Sequence, residues 1–338
     1  MTPVLNVGSL VLGIAILYWG AEWLIRGSAG IARALGVTPL VVGLTVIAYG
    51  TAAPELAVAT KTALAGHTPI ALGTVIGSCA ANISLILGLT ALISPPTVDG
   101  RIIRREIPVL VGSAIAVPIL FRNGVLSRVE GMFLVGCAVV FTLATLTVAA
   151  RLETDDDDER PDGTASSSAL RASAAQESGE SVGGKARPKL SRALSLVMTV
   201  AGLGLLVAGS SFLVRGGRGI AQALGMSERM LGLTIMALGT ALPELIRSVV
   251  AASRGQAGIA VGSVIGSNLL SVFLVLGVTA CLHPIRLGER MHLVDLLGLV
   301  AITLLGVLVL RGSRRITRFE GAILVLAYVA FLICAALL

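Results

Sequence analysis

The sequence predicts an all-α integral membrane protein with ten transmembrane helices, laid out as two inverted five-helix repeats with broken motif helices. Three observations carry this. Hydrophobic residues make up 55% of the 338 positions and charged residues 13%, about half the roughly 25% charge of a soluble domain. That is too little charge to clothe a globular surface, and mean hydropathy is accordingly +0.92. Apolar runs long enough to cross a bilayer recur between short polar breaks. Finally, the two halves of the chain align with each other.

The expected spans run roughly over 4–25, 38–64, 70–93, 106–121, 127–150, 193–214, 230–252, 258–282, 292–310 and 319–338. The first, Val4 to Ile25, has no basic residue before it and is long enough to span, so it reads as a retained helix rather than a cleaved signal. Residues 151–191 differ from everything else: acidic at Asp155–Glu159, then rich in Ser, Ala and Gly, then basic. Such a segment has little to bury and is expected to be a disordered linker. It divides the chain into blocks 1–150 and 192–338. The cysteines Cys79, Cys137, Cys281 and Cys334 lie in or beside apolar runs without a Cys-x-x-Cys pair, so they are expected as small buried residues. A formal charge of +7 would suggest nucleic acid in a soluble protein. Here the charges fall between spans and only 12 aromatics could stack on bases, so the expected partner is the lipid bilayer and not nucleic acid.

The segment Gly27–Leu56 aligns with Gly216–Leu245 at an offset of 189. The offset holds without a gap from Gly20/Gly209 to Pro95/Pro284, with 35 identities in 76 positions. Five spans in the first block reverse the second copy, and inverted repeats are the mark of alternating-access transporters with a site at the repeat interface. Placing both termini outside puts 18 of the 26 Lys and Arg residues on the cytoplasmic side, 11 against 8 without the long linker. The expected topology is therefore N-out and C-out with the linker inside.

Charges within spans are costly and mark function. Glu55 and Glu244 stand out because the repeat places them symmetrically, in Gly50-Thr51-Ala52-Ala53-Pro54-Glu55 and Gly239-Thr240-Ala241-Leu242-Pro243-Glu244. Proline lacks an N–H and clashes with the carbonyl four residues back, so the carbonyls of Gly50 and Gly239 are freed. Free carbonyls at membrane depth are tolerated where they line a cavity or bind an ion. Thr51 shares a helix face with Glu55, and Thr240 with Glu244. Two carboxylates with freed carbonyls make an all-oxygen site suited to Ca²⁺, Na⁺ or another hard cation, not zinc or copper. The competing structural reading pairs each glutamate with a base. The candidates, Lys61 and Arg247, fall toward span ends and do not match in the repeat. A second pair of strings follows, holding Ser78 and Asn82 in one copy and Ser267 and Ser271 in the other, each pair four apart on one face.

These strings, in two inverted five-helix halves, resemble the cation/Ca²⁺ exchanger superfamily, and the prokaryotic sodium/calcium exchangers in particular. The motif repeats cover 43–95 and 232–284. The resemblance implies a secondary antiporter exchanging Ca²⁺ for Na⁺ across the cell membrane, with no enzymatic activity and no cofactor beyond the transported ions. It implies Ca²⁺ binding by Glu55 and Glu244, backbone contributions from Thr51 and Thr240, Na⁺ contact at the Ala48 and Ala237 carbonyls, and completion by Ser78, Asn82, Ser267 and Ser271. The sequence departs from the family where Ala52 and Ala241 replace a common Ser, and where Ser271 replaces a common Asp. A Ca²⁺/H⁺ antiporter is the alternative, since buried paired carboxylates can also take protons. A cation channel is the reading from another class.

Weaker signals read as structural. Glu22 and Arg26 are expected to form an ion pair, Asp295 to cap the ninth span, and Asp155–Glu159 to be solvated. His67, His283 and His292 are expected at the interface.

Overall fold

The computed structural model describes residues 3–35, 37, 42, 45–46, 48–97, 100–155, 191–253, 257–287, 293–312 and 315–337. The expected linker, apart from residues 151–155 and 191, lies outside the described residues, as does His292. Among the described residues, ten long helices follow in order. They are α1 (Pro3–Ala34), α2 (Ala48–Leu64), α3 (Thr68–Ile93), α4 (Gly100–Leu120) and α5 (Arg128–Asp155) in the first block. In the second come α6 (Arg192–Ala223), α7 (Glu228–Ser253), α8 (Ala257–Leu270 continuing to Leu282), α9 (Leu293–Gly312) and α10 (Arg318–Leu337). Eight of them hold candidate membrane spans by length and hydropathy. The described part of α2 has 17 residues, about 26 Å at 1.5 Å per residue.

Several helices outrun their apolar stretches. α1 continues to Ala34 through Arg26 and Arg33, and α5 runs on to Asp155. The starts are chemically encoded. Ser191 accepts from the Leu194 N–H and Ser227 from the Met230 N–H, each an N-cap. Ser127 with Glu130, and Thr317 with Glu320, form reciprocal capping boxes at α5 and α10. Glu22 and Arg26 pair at 2.6 Å.

The expected breaks in the motif helices are π-helical turns rather than gaps. α2 and α7 run on through Pro54 and Pro243. The irregular turn comes just before, at Gly232–Met236 in α7 and at residues 45–46 ahead of α2. α3 and α8 carry matching π turns at Ala81–Ile86 and Ser271–Leu276. Each such turn loosens the carbonyl ladder, a geometry concentrated at functional sites.

α1 and α6 pack along each other on glycines spaced by seven, Gly13, Gly20 and Gly27 against Gly202, Gly209 and Gly216. A Cβ at Gly20 would lie 3.0 Å from Leu206, and one at Gly209 would lie 2.8 Å from Leu17. Backbone contact of this kind is how helices associate in lipid, where burial of apolar surface gives no drive. The core lies among α2–α5 and α7–α10, with fully buried Leu72, Ile76, Ile83, Val261, Ile265 and Leu276 at its centre. Two short antiparallel pairings tie the repeats at their ends. β1 (Val125–Leu126) joins β2 (Ile285–Arg286), and Thr97 bridges Arg315.

Candidate ion-binding site

α2 and α7 carry the two glutamates inward. Glu55 and Glu244 are both 7% exposed. Each follows a proline inside a continuous helix, so the Gly50 and Gly239 carbonyls receive no proline N–H. Thr51 Oγ1 donates to the Ala48 carbonyl at 2.7 Å. Thr240 Oγ1 donates to the Met236 and Ala237 carbonyls at 3.0 and 3.1 Å. Both hydroxyls are thus turned back along their own helices, and Ala48 and Ala237 lie in the turn that receives them.

α3 and α8 supply the rest. Ser271 Oγ donates to Glu55 Oε2 at 2.7 Å, reaching from the second repeat to the glutamate of the first. Ser263 Oγ donates to Glu244 Oε1 at 2.5 Å. Ser78 Oγ lies 3.4 Å from Thr240 Oγ1, joining α3 to α7 across the repeat. Ser263, Ser267 and Ser271 are each four apart, so they form one polar face of α8. Thr74, Ser78 and Asn82 hold the matching positions on α3. Asn268 and Cys79 are each other's counterparts in the repeat, and they meet. Asn268 Nδ2 donates to the Cys79 carbonyl at 3.1 Å, and Cys79 Sγ faces the Asn268 carbonyl at 3.9 Å. The repeat axis therefore passes through the site.

Three buried oxygens here lack a hydrogen-bond partner among the described residues: Glu55 Oε1, Asn82 Oδ1 and Asn268 Oδ1. Buried polar atoms are nearly always satisfied, so three bare acceptors in one place leave lone pairs for a cation or water to take. Neither glutamate is paired with a base among the described residues, and Lys61 Nζ instead meets Ser211 Oγ at 2.5 Å. The ion-pair reading of the glutamates therefore has no support.

Among the described residues, the α3 half of the site is the more closely packed. Thr74 and Ser78 on α3 are 0% and 2% exposed, and a Cβ on Gly73 would lie 2.9 Å from the Arg229 carbonyl. A Cβ on Gly77 would overlap the Leu233 carbonyl and Ala237. On α8 the matching Ser263 and Ser267 are half-buried, and among the described residues, which leave out most of 38–47, a Cβ on Gly266 would meet nothing within 4 Å.

Sequence reasoning missed Ser263 and Asn268, although four-residue spacing from Ser267 pointed to Ser263. It also missed Arg229. Asp295, expected as a cap, is fully buried and pairs with Arg229 Nε at 2.8 Å, tying the start of α7 to α9.

Comparison with known proteins agrees with this architecture. A model of the sodium/calcium exchanger protein family matches residues 5–147 and 194–337. The sodium/calcium exchanger MaX1 of Methanosarcina acetivorans is 29% identical, covering 96% of both chains. The inner membrane protein YrbG of Escherichia coli is also 29% identical, over 96% of this chain and 94% of its own. Among solved structures, the sodium-calcium exchanger NCX_Mj soaked with Na⁺ and Sr²⁺ superposes with a TM-score of 0.61 at 31% identity, covering 98% of each chain.

Proposed function

The chain belongs to the sodium/calcium exchanger protein family, and from that premise we propose that it is a secondary antiporter exchanging Ca²⁺ for Na⁺ by alternating access, seated in the cell's inner membrane. Blocks 1–150 and 192–338 serve as its two halves, joined by a cytoplasmic linker, with both termini outside. The ligands are Glu55, Glu244, Ser78, Asn82, Ser267 and Ser271, with backbone oxygens at Ala48, Thr51, Ala237 and Thr240. Asn268 joins them.

The observation that carries this is the pair of symmetry-related, base-free buried glutamates beside three bare buried oxygens. Ca²⁺ takes six to eight oxygens in flexible geometry, and two carboxylates balance its charge. Na⁺ asks for oxygens but less charge, so serines, amides and carbonyls can hold it when Ca²⁺ leaves. In the N-out orientation the packed contact of α3 with α7 faces outside. Transport requires that this contact part when the site opens to that side.

The test is ⁴⁵Ca²⁺ uptake into proteoliposomes loaded with Na⁺ at fixed pH. Uptake that follows the Na⁺ gradient is expected. Uptake driven by a pH gradient and indifferent to Na⁺ would instead identify proton exchange, and gradient-independent electrodiffusive flux would identify a channel.

A further inference from the structure

Cys79 is the one residue of the site that hard-cation chemistry does not call for. Its thiol is 1% exposed and sits at the repeat axis against Asn268. Three residues on from Asn268 along α8, Ser271 donates to Glu55 Oε2 at 2.7 Å, so the same stretch of helix holds both the thiol and the carboxylate. Two of the bare acceptors, Glu55 Oε1 and Asn268 Oδ1, belong to these same neighbours. Sulfur, carboxylate and amide oxygen thus converge where a transported cation would pass.

We propose that Cys79 makes the centre of this site a trap for thiophilic divalent cations, of which Cd²⁺ is the probe. The inference rests on the antiporter reading of the same residues. Thiolate is a soft ligand and prefers soft cations, whereas Ca²⁺ gains little from sulfur and stays on oxygen. A Cd²⁺ ion entering by the Ca²⁺ route forms a Cd–S bond to Cys79. The S–H bond breaks, its proton leaves to the water of the open half, and no electrons are transferred. Glu55 and Asn268 complete the coordination. Because Cys79 is on α3 and Asn268 on α8, the bound ion fastens one repeat to the other and arrests exchange. The remaining cysteines lie elsewhere: Cys137 on α5, Cys281 at the end of α8 facing the Arg128 carbonyl, and Cys334 exposed on α10.

The experiment compares a full-length protein retaining only Cys79 (Cys137→Ser, Cys281→Ser, Cys334→Ser) with the same protein carrying Cys79→Ser. Cd²⁺ is titrated into each in detergent, following thiolate-to-cadmium charge-transfer absorbance, and inhibition of ⁴⁵Ca²⁺ uptake is measured in proteoliposomes. The Cys79-only protein is expected to develop the absorbance at one Cd²⁺ per chain, and the Cys79→Ser protein to lack it. The Cd²⁺ concentration for half-inhibition should rise roughly tenfold or more on Cys79→Ser, while half-inhibition by the hard cation La³⁺ should not move with it. Absence of the absorbance from the Cys79-only protein, or equal Cd²⁺ sensitivity of the two, overturns the proposal and leaves the antiporter reading standing. If neither protein exchanges Ca²⁺ for Na⁺, that reading falls, and the absorbance alone decides the role of the thiol. Cys79→Asn, which repeats the side chain of Asn268, replaces Cys79→Ser should the serine variant fail to fold.

Discussion

The same polar ladder occurs twice in this molecule and sits in two different surroundings. On α3, Thr74 and Ser78 are sealed against the start of α7, with Gly73 and Gly77 in backbone contact. On α8, the corresponding Ser263 and Ser267 are half-buried, and no described residue comes within 4 Å of a Cβ on Gly266. The two stretches share 35 identities in 76 positions, yet the sequences differ at the sealing segment, with Arg229 in one copy where the other has Leu40. The difference in packing among the described residues therefore combines a state with a property of the sequence. An inverted repeat can close only one end at a time, and whichever copy is sealed here becomes the loose one after the switch.

The largest effect should come from removing what the two halves share. Glu55→Gln and Glu244→Gln keep size and shape but take a charge from a site that must neutralise Ca²⁺. Each is expected to abolish Na⁺-driven ⁴⁵Ca²⁺ uptake while the purified protein remains folded. Normal uptake by either variant would remove that glutamate from the site.

The next test breaks the fastening at the closed end. Arg229 and Asp295 are 6% and 0% exposed and tie α7 to α9. Asp295→Ala leaves a buried guanidinium without its carboxylate, which should cost about 3–5 kcal/mol and appear as a marked fall in Tm. Replacing both, Arg229→Met with Asp295→Leu, should restore most of that loss, because apolar pairs can substitute for buried ion pairs. A Tm unchanged by Asp295→Ala would show that the pair does not fasten the closed end.

Much of this was legible in the sequence, for identifiable reasons. Hydropathy locates where apolar side chains stop, not where helical hydrogen bonds stop. Hence all ten helices were legible, but α1 runs on past Ile25 to Ala34 and α4 starts at Gly100, ahead of the expected 106. Glu55 and Glu244 were legible because a charge recurring at one repeat position inside an apolar run has few structural explanations. Ser263 was not, because a lone serine aligned with Thr74 reads as packing. Arg229 was not, because Leu40 stands at the matching place in the first copy and symmetry gave no signal. Which end is closed could not be read, since the glycines of the contact, Gly73 and Gly77, recur as Gly262 and Gly266.

Glycine substitutions sharpen the comparison directly. Gly77→Ala forces a methyl group into the Leu233 carbonyl and Ala237. Overpacking of this kind costs about 1–3 kcal/mol, so Tm should drop. Gly266→Ala meets nothing within 4 Å among the described residues and should alter stability by no more than about 0.5 kcal/mol. Its penalty belongs to the mirror state, where α8 must approach as closely as α3 does now. Gly266→Ala is therefore expected to slow exchange at unchanged Tm. Equal stability losses for the two glycines would mean that the ends do not differ.

The smallest effect concerns the two serines that hold the glutamates. Ser271 is 1% exposed and bonds Glu55, while Ser263 is half-buried and bonds Glu244. A hydrogen bond to a charged group contributes about 1.5–3 kcal/mol, but only where nothing replaces it. Water cannot take the place of Ser271 in a sealed site, so Ser271→Ala should weaken apparent Ca²⁺ affinity roughly tenfold, the lower end of that range. Water can reach the place of Ser263 and bridge to Glu244 nearly as well, so Ser263→Ala should change affinity by only about threefold. Ca²⁺-dependent stabilisation of the purified variants measures both values independently of turnover. If Ser263→Ala proves the more damaging, the Ser263 end of α8 is as dry as the Ser271 end, and the difference in burial between them does not extend to solvent access.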